Sequence, residues 1–243
     1  MLTGLSLASS SPTRALRGER MRRLFIVVLL SLVALGTALL AHPLHGVQRV
    51  SFACDRQTCQ VLTPFADVAI TPFTGGAIDL TGDGVPETIL REGETLRVLQ
   101  GDVEIWRSDP AWRVVDVALG DPNDDGRYEI LAALWKSNDA GVLTSHPFII
   151  GYRGGAVKVI WGGSAVTHGI HEIALADVDN DGAAELVVLE SAQPGDGLNA
   201  TQRTLSVWDW HGWGFNLRWR SEPGRYRNLS LAEDDIIVVT VEK

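Results

Sequence analysis

The sequence predicts an all-β fold: a small β-propeller, four-bladed, whose last blade is closed by strands from the N- and C-terminal ends of the chain. Three observations lead there. An acidic loop motif recurs, opening at Asp79, Asp121 and Asp177; a tryptophan stands at a nearly constant spacing ahead of the later loops; and short β-type runs bounded by turns lie between. Self-similarity at this period, with four short strands per unit, marks the blades of a propeller. One such sheet cannot bury both faces alone and must stack on its neighbours.

The loops come first. "AIDLTGDGVPETIL" supplies Asp79, Thr81, Asp83, Gly84 and Glu87. "ALGDPNDDGRYEIL" supplies Asp121, Asn123, Asp125, Gly126 and Glu129, and "ALADVDNDGAAELV" supplies Asp177, Asp179, Asp181, Gly182 and Glu185. Each reads D-x-[DNT]-x-D-G-x-x-E, followed by an apolar residue. Trp106 precedes Asp121, Trp161 precedes Asp177 and Trp219 precedes Glu233, all at nearly the same distance along the chain. The step from Asp177 to Glu233 equals the step from Asp121 to Asp177, so "LSLAEDDIIVV" reads as a shortened fourth copy without its glycine. Runs such as "TLRVLQG", "PFIIGYRGG" and "TLSVWDWHG" complete units of strand, acidic loop, strand, turn, strand, turn, strand.

The fourth copy stops after two strands. Ahead of the first loop, "QRVSFACDRQTCQVLTPF" is a hairpin without partners. Its Phe65 stands as far before Asp79 as Trp219 does before Glu233, and so takes the tryptophan position. This hairpin is expected to supply the outer strands of the fourth blade and close the ring. A partial ring completed by oligomerisation and an open stack are the other arrangements. Cys54 and Cys59 flank the hairpin tip. Outside the cytoplasm they would form a disulfide; in a reducing compartment they would stay free thiols.

Residues 1–23 form a basic N-terminal segment of net charge +4, leaving −13 for residues 24–243. Residues 24–41, LFIVVLLSLVALGTALLA, carry no charge and follow Arg22 and Arg23. They read as a signal peptide or a membrane anchor, near the lower length limit for crossing ~30 Å of hydrocarbon. The segment is expected to insert in the membrane at least transiently. The remainder, residues 48–243, then lies outside the cytoplasm, secreted or anchored. A body this acidic repels phosphate backbones, so nucleic acid is not expected as a partner.

The loop chemistry is that of a hard cation. Calcium takes six to eight oxygens at ~2.3–2.6 Å, and alternate residues of a tight, glycine-containing loop can aim oxygens at one point. The expected ligands are Asp79, Thr81, Asp83, the Val85 carbonyl and Glu87. In the second loop they are Asp121, Asn123, Asp125, the Arg127 carbonyl and Glu129, and in the third Asp177, Asp179, Asp181, the Ala183 carbonyl and Glu185. An EF-hand is excluded, because its twelfth position needs glutamate and here holds Leu90, Ala132 and Val188. Unneutralised, two carboxylates ~4 Å apart repel by roughly 4 kcal/mol at an effective dielectric of ~20, so the clusters call for a counter-cation.

These three motif copies, each between apolar strands, resemble FG-GAP or VCBS-type repeats, the calcium-bearing blades of integrin α-subunit propellers. The resemblance covers roughly residues 48–243. It implies an extracellular or cell-surface module that binds protein or carbohydrate, with calcium held by the loop residues just named. The chain departs from the family in its ninth-position glutamates, in Thr81, and in being too short for seven blades.

Other features are read more plainly. His168 and His171, three apart and leading into a strand, are expected to face opposite ways without a metal or catalytic role. Trp219 and Trp213 are expected to fill space between sheets, although Trp213 sits in a turn. No nucleophile elbow, P-loop or HExxH occurs. The leading expectation is a non-enzymatic calcium-binding module that binds a protein or glycan ligand or serves as a structural part of a larger assembly. The alternative is a carbohydrate-active hydrolase or lyase with its site on the propeller axis.

Overall fold

Every element but one in the computed structural model is a strand, and the description covers residues 47–62, 72–162 and 167–242. The basic segment 1–23, the apolar segment 24–41 and Phe65 lie outside the described residues. Strands β1 (Val47–Cys54) and β2 (Cys59–Leu62) form the N-terminal hairpin. The next four are β3 (Gly75–Ile78), β4 (Glu87–Glu92), β5 (Thr95–Gln100) and β6 (Val103–Arg107). Then follow β7 (Arg113–Gly120), β8 (Glu129–Ser137), β9 (Leu143–Arg153) and β10 (Ala156–Gly162). A third group comprises β11 (Ile170–Ala176), β12 (Glu185–Ser191), β13 (Arg203–Trp210) and β14 (Phe215–Arg220), and the chain ends with β15 (Tyr226–Leu231) and β16 (Ile237–Glu242).

These strands make four antiparallel four-stranded sheets. Three are consecutive meanders, β3 to β6, β7 to β10 and β11 to β14, and the fourth runs β15-β16-β1-β2. The N-terminal hairpin therefore completes the sheet that the C-terminal strands begin, as the orphan hairpin and truncated fourth copy predict. Its register pairs Val47 with Glu242 and Phe52 with Ile237. At the hairpin tip Cys54 faces Cys59 and the two form a disulfide.

Period-2 alternation decides how the sheets stack. In β8 every residue from Glu129 to Trp135 is buried. Ile130, Ala132 and Leu134 point into a core shared with Ile89, Leu96 and Val98 of the first meander. Leu131 and Ala133, on the opposite face, meet Leu186, Val188 and Phe215 of the third meander. Strand β12 repeats the division, its Val187 packing with Phe52, Ile237 and Val239 of the terminal sheet. Three cores thus join the sheets in series, each large aliphatic residue contributing about 1.5–3 kcal/mol by leaving water.

The recurring tryptophans seal these cores from the outer strands. Trp161 on β10 meets Trp210 and Phe215 of the next sheet edge-on, with ring centroids 5.5 and 5.4 Å away. Trp219 on β14 lies 5.6 Å from Phe52, and Trp106 on β6 lies 6.5 Å from Trp112. Trp213 departs from the packing expectation. It is 79% exposed in the β13–β14 turn, and only its carbonyl is engaged, accepting the Trp161 indole N–H at 2.8 Å.

The first strand of each sheet is an edge strand, and three of the four carry a bulge, in β7 next to Asp116, in β11 next to Glu172 and in β15 between Arg227 and Ser230. Bulges leave amides without ladder partners. In β11 and β15, side chains from the preceding sheet accept amides at or beside the bulge. Asp116 Oδ2 takes the Ile173 N–H at 2.9 Å. Glu172 takes those of Leu229 at 2.7 Å and Asn228 at 3.1 Å. Both carboxylates stand five positions ahead of a loop aspartate, so this is a second repeating polar position, and it latches one sheet to the next. Phe73, Arg91, Asp116, Leu119, Glu172 and Leu229 are among the residues around a cavity of about 510 Å³ that all four sheets border.

Candidate metal centre

Each acidic loop joins the first and second strands of a meander, and each ends on a glutamate that opens the second strand. Glu87, Glu129 and Glu185 are 0%, 0% and 3% exposed. The three loops share one backbone fold. The leading aspartate accepts the glycine amide five positions on: Gly84 to Asp79 at 2.9 Å, Gly126 to Asp121 at 2.8 Å, Gly182 to Asp177 at 2.9 Å. Those glycines have φ of 86°, 79° and 95°, which side chains resist, so the motif glycine is a geometric need. The fifth-position acids Asp83, Asp125 and Asp181 accept the amides of Val85, Arg127 and Ala183 at 2.8, 3.1 and 3.0 Å. In the fourth copy, where glycine is missing, Asp234 and Asp235 take positive φ values of 57° and 53° instead.

Convergence of the carboxylates differs among the loops. Among the described residues, two groups bring three acids within 4.8 Å of one another: Asp121, Asp125 and Glu129, and Asp177, Asp179 and Glu185. Either cluster can hold a metal ion. The first loop does not gather in this way. Thr81 donates its hydroxyl to Glu87 Oε1 at 3.3 Å, while the Leu80 and Thr81 amides donate to Oε2 at 2.9 and 3.1 Å. Glu87 is therefore satisfied by its own loop. Asn123 accepts the Asp125 amide at 3.2 Å, and Asp181 faces Arg56 of the terminal hairpin at 3.8 Å, a contact too exposed to contribute much.

Two residues outside the motif reach into these loops, and a third steadies one of them. Arg153, the last residue of β9, reaches Asp125 Oδ2 at 2.5 Å and Glu129 Oε1 at 2.6 Å through one guanidinium nitrogen. Arg218 of β14 lies 2.9 Å from Asp179, 3.1 Å from Glu185 and 2.7 Å from Asp209 of β13. Their separations from the loop acids in sequence, and their different strands, leave no shared spacing by which the repeats reveal them. Burial pushes Glu129 up to about 7, against the Arg153 hydrogen bond that lowers it. Burial likewise pushes Glu185 up to about 7 despite Arg218. Glu129 Oε2 is buried with no hydrogen-bond partner.

The carboxylates around that orphaned buried oxygen form an oxygen-only donor set, the chemistry that can hold a metal ion. Asp121, Asp125 and Glu129 would hold it in the second loop. Its charge would relieve the mutual repulsion of the acids and fix the turn between β7 and β8.

The histidines are placed differently from the expectation of opposite faces. His168 precedes β11, and a bulge follows Ile170, so both rings reach Ser191 of the next strand. His168 Nδ1 lies 3.0 Å from the Ser191 carbonyl and His171 Nε2 lies 2.9 Å from the Ser191 hydroxyl. Ser191 and His171 are 0% and 9% exposed. Burial, with Arg203 and Arg227 nearby, lowers His171 to about 4, so it is neutral at pH 7. A Cβ on Gly169 would lie 2.6 Å from Trp135 and 2.9 Å from the Ser191 hydroxyl, which shows how tightly this serine is covered.

No protein-family model matches the chain, and no curated protein matches it either.

Proposed function

We propose that this chain is an extracytoplasmic, calcium-binding four-bladed β-propeller of the FG-GAP/VCBS type, acting as a non-enzymatic module for a protein or glycan ligand. The single observation that carries the metal is the second loop, where three carboxylates converge and one buried oxygen has no partner. Closure of the ring is supported by the cavity that all four sheets border and by the terminal sheet built from both ends of the chain. The disulfide supports an oxidising compartment. Exposed Trp213 and Tyr128, on loops, are the sort of aromatic surface that stacks on sugar rings or anchors a protein interface.

The test is thermal melting with calcium and with a chelator. Calcium at ~100 times its dissociation constant should add about 2.7 kcal/mol per site. Superimposable melting curves would remove the metal from the proposal.

The enzymatic alternative has one observation in its favour. The cavity between the sheets is bordered by two carboxylates, Asp116 and Glu172. Against it, both already accept backbone amides as inter-sheet latches, which favours a structural role.

A further inference from the structure

The second and third loops share a motif, and each receives one arginine, but the two arginines are held differently. Arg218 is 9% exposed and directs Nε, Nη1 and Nη2 each at a different carboxylate: Asp209, Asp179 and Glu185. Asp179 and Glu185 belong to the converging cluster of the third loop and are 0% and 3% exposed. The contact to Glu185 has hydrogen-bond geometry, and the other two are charge contacts. Arg153 gives a single nitrogen to the second loop and directs another to the Tyr152 carbonyl at 3.0 Å. Each loop keeps one buried carboxylate oxygen without a hydrogen-bond partner, Glu129 Oε2 and Asp179 Oδ2.

We propose that Arg218 is the resident cation of the third loop, so that a divalent ion enters that cage only when the guanidinium leaves it. This deepens the calcium reading of the loops and rests on it for the second loop alone. The argument is steric as well as electrostatic. Calcium needs six to eight oxygens at ~2.3–2.6 Å, and nitrogens already 2.9 and 3.1 Å from Asp179 and Glu185 occupy the space in which it would sit. Arg153 stands as close to Asp125 and Glu129, but with one nitrogen, on a side chain 22% exposed that can withdraw into water, and with no third carboxylate holding it. A guanidinium cannot deprotonate to make way, so only a movement of the side chain opens the cage. Asp209 resists that movement. It lies outside the loop motif and adds a third carboxylate, 2.7 Å from Nε. The third turn is thus neutralised by a side chain fixed on three carboxylates, while the second carries an arginine that can give way to an ion.

The test is calcium binding by calorimetry on the full chain, with folding checked by circular dichroism. Arg218→Met should bind one calcium more than the wild type. Asp209→Asn, which removes no loop ligand but loosens Arg218, should tighten binding at the third loop about tenfold, or 1.4 kcal/mol. A folded Arg218→Met protein with the wild-type stoichiometry and affinity overturns the proposal. If that variant does not fold, Asp209→Asn decides: tighter binding supports the resident arginine, and unchanged or weaker binding refutes it. A wild type that binds no calcium, beside an Arg218→Met variant that binds one, keeps Arg218 as the plug and rejects the calcium reading of the second loop.

Discussion

Removing the Glu172 carboxylate should loosen the third sheet from the terminal one. In Glu172→Ala the amides of Leu229 and Asn228 lose their acceptors at 2.7 and 3.1 Å, and Arg203 loses a partner at 3.3 Å. A hydrogen bond to a charged group contributes about 1.5–3 kcal/mol. Glu172 is 27% exposed, so water takes up part of the loss and the lower figure applies to each amide. Two such bonds give about 3 kcal/mol, a large share of the roughly 5–15 kcal/mol typical of a domain. For a chain of this size that is a fall in melting temperature of about 6–12 °C. Glu172→Gln keeps one acceptor oxygen and should lose about half as much. Denaturant unfolding of the two variants beside the wild type measures this directly. A Glu172→Ala protein within about 0.5 kcal/mol of wild type, the range of ordinary surface changes, would refute the latch.

Asp116, the other latch, makes stability depend on pH. Burial raises it to about 6, against the Ile173 and Val117 amides that lower it. A carboxyl that binds its proton more tightly when folded costs stability above its folded pKa, and that cost vanishes below the unfolded value of ~3.9. Stability should therefore fall by at most about 3 kcal/mol as pH rises from 4 to 7 through this group. Asp116→Asn should lose that part of the slope, and parallel pH profiles for the two proteins would contradict the assignment. Replacing Cys54 and Cys59 with serine releases only a short loop, so unfolding free energy should drop by about 2 kcal/mol. No change on reduction would mean that the terminal hairpin is held by its strand pairing alone.

The sheet order was legible because its signals are periodic. The acid–glycine–acid loop marks the passage from first to second strand, and the tryptophan marks the fourth. An unfinished copy at one end and a spare hairpin at the other leave one economical pairing. The latch was not legible for the opposite reason. Asp116 in "VVDVALG" and Glu172 in "IHEIALA" look like single polar interruptions of apolar strands. Their partners, the Ile173 and Leu229 amides, lie 57 residues away in the next sheet. Backbone donors freed by a bulge leave no residue signature. The arginines were hidden by another cause. Arg153 sits on a third strand and Arg218 on a fourth, so aligning the repeats does not superpose them. The motif likewise treats its three copies as equals, whereas Thr81 makes the first loop self-satisfied and Arg218 reaches two acids of the third. Motif spacing specifies where a turn goes; the charge inside it depends on what the neighbouring strands send in.

Calcium titrated calorimetrically into metal-free protein, with Glu129→Gln as its partner experiment, bears most directly on the acidic loops as cation sites. The substitution keeps the volume of the buried side chain and removes its charge from the second loop. Saturable binding in the wild type, weakened tenfold or more in Glu129→Gln, is the predicted result. Absence of binding heat, or identical isotherms for the two proteins, would contradict it.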